Sequence, residues 1–144
     1  ARRCISYLTI ELKGEIPAEL RSQMGDWVFG CDACQQVCPW NRFAPELGDP
    51  AFAPRPGQVA PDLVVDLGLT DGEFHLKFKN SPLRRAKRGG YLRNVAVALG
   101  NQGDPSALPA LERALAADPE PLVRQHAAWA VERIKTNHRN ADIG

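Results

Sequence analysis

Three closely spaced cysteines constrain this chain more than any other feature of its sequence. Cys31, Cys34 and Cys38 are separated by two and then three residues, and Pro39 follows directly. A spacing of two lets one tight turn aim two thiolates at the same point, as a metal centre requires. Proline has no N–H group and resists helical continuation, so the backbone turns away after Cys38. The segment therefore predicts a metal site built on thiolates.

An iron–sulfur cluster fits this spacing better than the alternatives. The bacterial ligand run C-x2-C-x2-C-x3-C-P matches the three cysteines and the proline, while Val28 stands where its first cysteine belongs. Cys4 can supply the missing thiolate if its segment folds back. A structural zinc site is the main rival, although zinc ribbons usually use two C-x2-C pairs. Disulfides are disfavoured because the chain shows no secretory signs and lacks the spacing of stapled mini-proteins.

The number of ligands points beyond this chain. In two-cluster ferredoxins, the cysteine before the proline ligates the other cluster, so Cys38 would leave the cluster of Cys4, Cys31 and Cys34. One more cysteine is then needed for the first cluster and three more for the second, whereas the chain holds four in all. We therefore expect a run of ferredoxin type immediately before Ala1, which is not a methionine.

Composition and helical periodicity divide the chain into parts. We predict the second half of a two-cluster ferredoxin-type module at 1–44, a proline-rich linker at 45–69, a HEAT-like helical domain at 70–136 and a flexible tail at 137–144. The HEAT-like prediction depends on a weak repeat of 31 residues, which places Leu92–Ala96 over Val123–Ala127. An ordinary helical bundle is the alternative. The expected fold class is mainly α, with a partial ferredoxin-like [4Fe–4S] module before the repeats.

Basic residues are concentrated in one segment of an almost neutral chain. With 18 basic and 17 acidic residues the net charge is +1, so electrostatic function must come from local clustering. Residues 77–93 hold seven basic side chains and no acidic one. On a helix, Arg84, Arg85 and Arg88 share a face with Lys87 beside it. Such a stripe can follow a phosphate backbone, and a solvated face is an equally weighted alternative.

Two stretches of the chain resemble the epoxyqueuosine reductase family. The first comprises RCISYLTIE at 3–11 with FGCDACQQVCPWN at 29–41, and the second is SPLRRAKRGGYLRN at 81–94. The resemblance implies an enzyme that reduces the epoxide of epoxyqueuosine in a tRNA anticodon loop, giving queuosine. It also implies that a cobalamin-binding domain and a first ferredoxin motif precede this region. The chain by itself is then expected to be inactive.

The resemblance also implies roles for individual residues. It assigns Cys4, Cys31 and Cys34 to one [4Fe–4S] cluster and Cys38 to the other. Ser6 and Asp32 are expected near the corrin of a cobalamin held mainly by the preceding domain. The general acid is expected in that domain, so no catalytic residue is assigned here. The tRNA substrate tips the basic segment toward binding, through Arg84, Arg85, Lys87, Arg88 and Arg93.

The expected setting of the protein follows from the same interpretation. Its partners would be a tRNA carrying epoxyqueuosine and an unidentified electron donor, and it would be a cytoplasmic monomer without a membrane. Two other functions stay open from the residues alone. One is a zinc-stabilised, nucleic-acid-binding adaptor, and the other is a ferredoxin-type electron carrier with a helical docking tail. A brown protein that binds tRNA in a salt-dependent way would favour the reductase over both.

Overall fold

The computed structural model describes residues 2–43 and 60–141, and within these ranges the chain is helical without a β-strand. The mainly α fold class is confirmed. Most of the linker predicted at 45–69 and the last three residues of the predicted tail lie outside the described residues. None of the described helices combines the length and apolar character that a membrane crossing requires.

The first unit, residues 2–43, consists of short helical turns. They are a π-helical segment at Tyr7–Glu11, α1 at Ala18–Arg21, a 3-10 turn at Ser22–Met24, α2 at Ala33–Gln36 and a 3-10 turn at Pro39–Phe43. Pro17 directly precedes α1, Pro39 starts the last 3-10 turn, and Gly25, with φ of +59°, ends the turn at Ser22–Met24. A small buried cluster holds the unit together, formed by Leu8, Ile16, Leu20, Met24 and Val97.

The second unit, residues 60–141, is a stack of longer helices. It contains α3 at Leu63–Asp66, α4 at Asp71–Lys77, a 3-10 turn at Pro82–Ala86, α5 at Lys87–Gln102, a 3-10 turn at Pro105–Ala107, α6 at Leu108–Ala117 and α7 at Pro121–Ala141. A capping box begins α4, where Thr70 and Glu73 satisfy each other's backbone N–H groups. Helix α5 packs against α7, which also packs against α6, and these helices enclose the main core.

The helices α5 and α7 cross at a point where only glycine fits. A Cβ atom on Gly100 would lie 2.9 Å from the Cα and Cβ atoms of Ala130 and from the Trp129 ring. Trp129 also packs against both buried clusters, so α7 contacts the core of each unit. Small residues at this crossing let the two repeats approach closely enough to share one interior.

Three boundaries differ from the sequence prediction. Helix α3 falls inside the predicted linker, and Leu63, Val64 and Leu69 pack against the main core. Helix α7 continues to Ala141, so the tail was placed too early. The basic segment does not form one helix: its 3-10 turn ends at Ala86, and Lys87 starts α5 with a φ of +60°. The first shift arises because apolar contacts with the main core order residues whose local composition is that of a linker.

Candidate iron–sulfur site and nucleic-acid interface

Cys4 lies three residues before the π-helical segment, with its side chain exposed. The backbone N–H groups of Tyr7 and Ser6 donate to its sulfur, and they are the main reason that the pKa of the Cys4 thiol is lowered. Iron is bound by the thiolate and not by the thiol. The backbone around Cys4 therefore favours the ionised form that a cluster ligand needs.

The loop before Cys31 is held against the segment that follows Cys4. The N–H group of Gly30 donates to the Thr9 hydroxyl at 3.0 Å, and the Ser6 hydroxyl donates to the carbonyl of Cys31 at 3.2 Å. Gly30 has a φ of +77°, with open space where a Cβ would lie. Only glycine adopts this conformation readily, and its missing side chain leaves the approach to Cys31 clear. The sequence-distant cysteines thus sit on segments that touch.

Cys34 and Cys38 lie on and just after α2. Cys34 belongs to that helix, and the N–H group of Cys38 donates to the carbonyl of Gln35 at 3.1 Å. Pro39 then starts a new 3-10 turn, so α2 does not continue through the proline.

All four cysteines are free. Their thiolates are the usual ligands of an iron–sulfur cluster, but four are too few for two clusters. Cys4 and Cys34 are exposed, while Cys31 and Cys38 are half-buried. In the described part of the chain, no three cysteine, histidine or carboxylate side chains lie close enough to hold a metal ion. The thiolate donors and the N–H groups directed at sulfur suit a cluster. The division of the cysteines between two clusters stays a prediction.

The two residues predicted near a corrin lie beside the cysteines. Ser6 is half-buried and uses its hydroxyl on the Cys31 carbonyl, as described above. Asp32 is exposed, and its backbone carbonyl accepts from the N–H groups of Gln35 and Gln36 at 2.9 Å each. The Asp32 carboxylate does not cap α2, so it is available to another group. Their role toward cobalamin stays a prediction.

The basic segment divides into exposed and buried members. Arg84, Arg85 and Lys87 are exposed, and Arg85 forms an ion pair with Glu11 at 2.7 Å. The side chains of Arg84 and Lys87 form no hydrogen bond or ion pair with any described residue, and both residues are exposed, so their charges face solvent. These three residues keep the predicted role of contacting a phosphate backbone.

Arg88 and Arg93 point into the protein, which removes them from the predicted stripe. Arg88 is 7% exposed and pairs with the Asp118 carboxylate at 2.6 Å. Arg93 is fully buried, and it donates to the carbonyls of Leu8 at 2.7 Å, Leu12 at 2.8 Å and Gly14 at 2.6 Å. Burial lowers the pKa of Arg93 to about 10, which leaves it charged at neutral pH. In this structure, both arginines serve to hold the fold together.

One cation of this surface was not found from the sequence. Lys13 lines the same cavity, of about 480 Å³, as Arg84 and Lys87. Its ammonium group donates to the carbonyl of Arg85 at 3.2 Å, which ties the two units together at this rim. His75 lines the cavity from α4. Lys13 lies 71 residues before Arg84, so only the docking of the units brings the two charges together.

A second set of residues missed by sequence reasoning joins the units through buried polar contacts. Asn94 and Asn101 of α5 each donate to two backbone carbonyls of the first unit. His126 of α7 accepts from the N–H group of Ile16 at 3.2 Å and therefore donates through Nδ1 to the Leu122 carbonyl. Burial is the main cause that lowers the pKa of His126 to about 4. The available signal was that Asn94, Val97 and Asn101 share one face of α5, opposite the apolar stripe that faces the main core.

Two protein-family models match the chain, one on each unit. A 4Fe-4S double cluster binding domain matches residues 1–41, and HEAT repeats match residues 83–143. The first match confirms the iron–sulfur interpretation of the cysteine region at the level of the domain. The second confirms the HEAT-like prediction over an ordinary bundle.

Curated relatives and solved structures agree with these matches. The epoxyqueuosine reductase of Pseudomonas aeruginosa is 51% identical over 135 residues, and that of Escherichia coli is 44% identical over 144 residues. These alignments cover 92% and 99% of this chain, which spans about 37% of the length of each relative. A crystal structure of epoxyqueuosine reductase with an epoxyqueuosine-modified tRNA-Tyr stem loop has a TM-score of 0.84 at 38% identity, covering 92% of this chain and 35% of that one.

Proposed function

We propose that this chain, which is homologous to epoxyqueuosine reductases over 91 to 99% of its length, is the iron–sulfur and tRNA-binding part of such an enzyme. One observation carries the proposal: the alignment with the reductases and the two family-model matches fall on the same residues. The same residues that align with these reductases also match a double-cluster model at 1–41 and HEAT repeats at 83–143. The reaction removes the epoxide oxygen as water, which takes two electrons and two protons.

Within that enzyme, Cys4, Cys31 and Cys34 would ligate one [4Fe–4S] cluster and Cys38 a second. The remaining thiolates would come from the part of the enzyme outside this chain, together with most of the cobalamin site. When bound, the clusters and the corrin supply the electrons for the reduction. Residues of this chain favour the thiolate form of Cys4, since nearby backbone N–H groups lower the pKa of its thiol. The open backbone at Gly30 leaves the Cys31 side accessible.

Ser6 and Asp32 would lie near the corrin. Both stand next to cysteine ligands, and the exposed Asp32 carboxylate is not used to cap α2. At that place, the Asp32 carboxylate and the Ser6 hydroxyl oxygen can accept hydrogen bonds from amide side chains of the kind a corrin carries. We assign them a binding role and no step of the reaction.

The tRNA would contact the rim formed by Lys13, Arg84, Arg85 and Lys87. These cations come from both units, and Lys13, Arg84 and Lys87 line one cavity, so a bound phosphate backbone would bridge the units. Phosphate contacts of this kind position a nucleic acid without reading its bases. An unidentified electron donor is a further expected partner, and we place the enzyme in the cytoplasm as a monomer.

A chimera tests the proposed reaction. Residues 1–144 replace the matching segment of the Escherichia coli epoxyqueuosine reductase, and the iron–sulfur clusters are assembled under anaerobic conditions. We expect the chimera to bind both clusters and to convert epoxyqueuosine to queuosine in tRNA, as measured by mass spectrometry of the nucleosides. A chimera that is folded and holds both clusters, yet never forms queuosine with a competent reductant, would contradict the proposal.

The tRNA surface is tested separately in the same chimera. Changing Arg84 and Lys87 to Glu should weaken tRNA binding and flatten its log–log salt dependence by about 0.7 to 0.9 per lost phosphate contact. The matched control changes Arg113 and Arg139 to Glu, because both are exposed and neither lines the cavity. Equal losses in the two double variants would assign the effect to total charge and remove the cavity rim from the interface.

A further inference from the structure

One fully buried amide side chain contacts both segments that carry predicted ligands. The Nδ2 atom of Asn94, in α5, donates to the carbonyls of Thr9 and Val28 at 2.8 Å each. Thr9 lies five residues after Cys4, and Val28 lies three residues before Cys31. The two carbonyls therefore belong to segments that lead to two different cysteines, and one NH2 group fixes the distance between the two carbonyls.

Two further hydrogen bonds extend this link to the cysteines themselves. Thr9 accepts the N–H group of Gly30 through its hydroxyl, directly before Cys31. Ser6, two residues after Cys4, donates its hydroxyl to the Cys31 carbonyl. A displacement at Asn94 would thus be transmitted to the backbone on either side of the predicted cluster site.

The orientation of the Asn94 amide is itself fixed. Its oxygen accepts from Nε and Nη2 of Arg93 at 3.0 and 2.9 Å. Rotating the amide by half a turn would direct NH2 at the guanidinium and oxygen at the two carbonyls, and neither pairing is a hydrogen bond. Because all these groups are buried, an unpaired carbonyl or amide here would be unfavourable. The arrangement therefore has one stable orientation.

We propose that Asn94 is a positioning residue for the cluster that Cys4 and Cys31 share, an inference that depends on the ligand assignment in the proposed function. Cysteines separated by 26 intervening residues cannot set their own separation through local chain geometry. The NH2 group of Asn94 sets it from the helical repeat. The repeat thereby shapes the cluster site as well as supporting it.

The same helix contains a matched control. Asn101 lies seven residues later, two helical turns along, and its Nδ2 atom also donates to two carbonyls at 2.8 Å, those of Arg21 and Gly25. The segment at 21–25 carries no cysteine. A change of Asn101 also removes two hydrogen bonds between the units, but these bonds do not involve a segment that leads to a ligand.

The experiment compares Asn94→Asp with Asn101→Asp in the chimera described above. Each substitution keeps the side-chain size and replaces the donating NH2 group by an oxygen. After cluster assembly, iron retention is measured against increasing chelator, and the reduced clusters are examined by electron paramagnetic resonance. We expect Asn94→Asp to lower iron affinity about 10- to 100-fold and to alter one of the two cluster signals, as loss of a supporting hydrogen bond does at metal sites. Asn101→Asp should leave both readouts near those of the unsubstituted chimera.

A second measurement needs no cluster. In the 144-residue chain with Cys34→Ser and Cys38→Ser, a short thiol-bridging reagent joins Cys4 to Cys31, and Asn94→Asp should slow this joining while Asn101→Asp leaves it unchanged. Circular dichroism reports whether each variant is folded. Equal behaviour of two folded Asp variants in both measurements would overturn the positioning role. Failure of the ligand assignment is recognised differently: iron content would then be unchanged by Cys4→Ser in an otherwise unsubstituted chimera.

Discussion

Two glycines of α5 offer opposite outcomes for the same chemical change. Gly100 and Gly90 both lie in the helix, where alanine is intrinsically preferred by about 1 kcal/mol. At Gly90 a new Cβ would lie 3.8 Å from the Cβ of Ala86, which is ordinary contact. At Gly100 it would lie 2.9 Å from three atoms of α7, one of them the backbone Cα of Ala130. The local preference is similar, and the surroundings decide the sign.

The magnitudes follow from these distances. Overpacking a core costs about 1–3 kcal/mol, and the upper end applies at Gly100 because a backbone atom cannot rotate away. After the helical preference offsets about 1 kcal/mol, Gly100→Ala should lower the free energy of unfolding by about 2 kcal/mol. For a chain of this size, that lowers Tm by about 4–8 °C. Gly90→Ala should instead raise Tm by about 2 °C.

Thermal unfolding of the 144-residue chain, followed by circular dichroism, provides the assay. Both variants and the unsubstituted chain are compared at one pH and one protein concentration. The reasoning would be refuted if Gly100→Ala were as stable as Gly90→Ala, because α5 and α7 would then not approach as closely as the structure has them. Equal destabilisation by both variants would refute it as well, since the contact at Gly90 would be misjudged.

Three further perturbations have defined outcomes. The pKa of His126 is lowered from 6.5 to about 4, so the unfolded chain takes up a proton at a higher pH than the folded chain does. The free energy of unfolding should therefore fall by about 1.4 kcal/mol per pH unit as the pH drops from 6.5 to 4. In urea unfolding across this window, His126→Gln should show a flatter dependence of stability on pH. Asp118→Ala removes the buried partner of Arg88 and should lower the free energy of unfolding by about 3–5 kcal/mol. Glu120→Ala removes the half-exposed partner of the same arginine and should have a much smaller effect in the same measurement. In the chimera, Cys4→Ser should reduce bound iron by about half, and either unchanged iron or complete loss would contradict the assignment of Cys4 to one cluster alone.

The local signals of the sequence predicted local structure well. The cysteine spacing led to the iron–sulfur domain, and the capping box at Thr70 forms as its residues indicate. The weak repeat led to HEAT-like helices. In each case the information lies within a few residues or in a periodic apolar stripe, so chain geometry alone carries it to the fold.

The functions of single charged residues were harder to predict. Arg84 and Arg93 belong to the same basic segment, yet one faces solvent and the other is fully buried among backbone carbonyls. Composition cannot separate them, because the carbonyls that hold Arg93 come from Leu8, Leu12 and Gly14, about 80 residues earlier. Lys13 was missed for the same reason. Such assignments depend on how the units dock, which no local pattern encodes.

The buried contacts between the units also order events during protein synthesis. The Ile16 backbone meets His126 across 110 residues, and the Leu8 carbonyl meets Arg93 across 85. The cysteines therefore leave the ribosome well before the helices that hold their segments in place. Until α5 and α7 have emerged, the early segment lacks the surface that it packs against, and closing such long loops must wait for these helices. Iron delivery to these thiolates is thus expected to follow translation of the repeat, so cluster insertion would be a late step in the maturation of this chain.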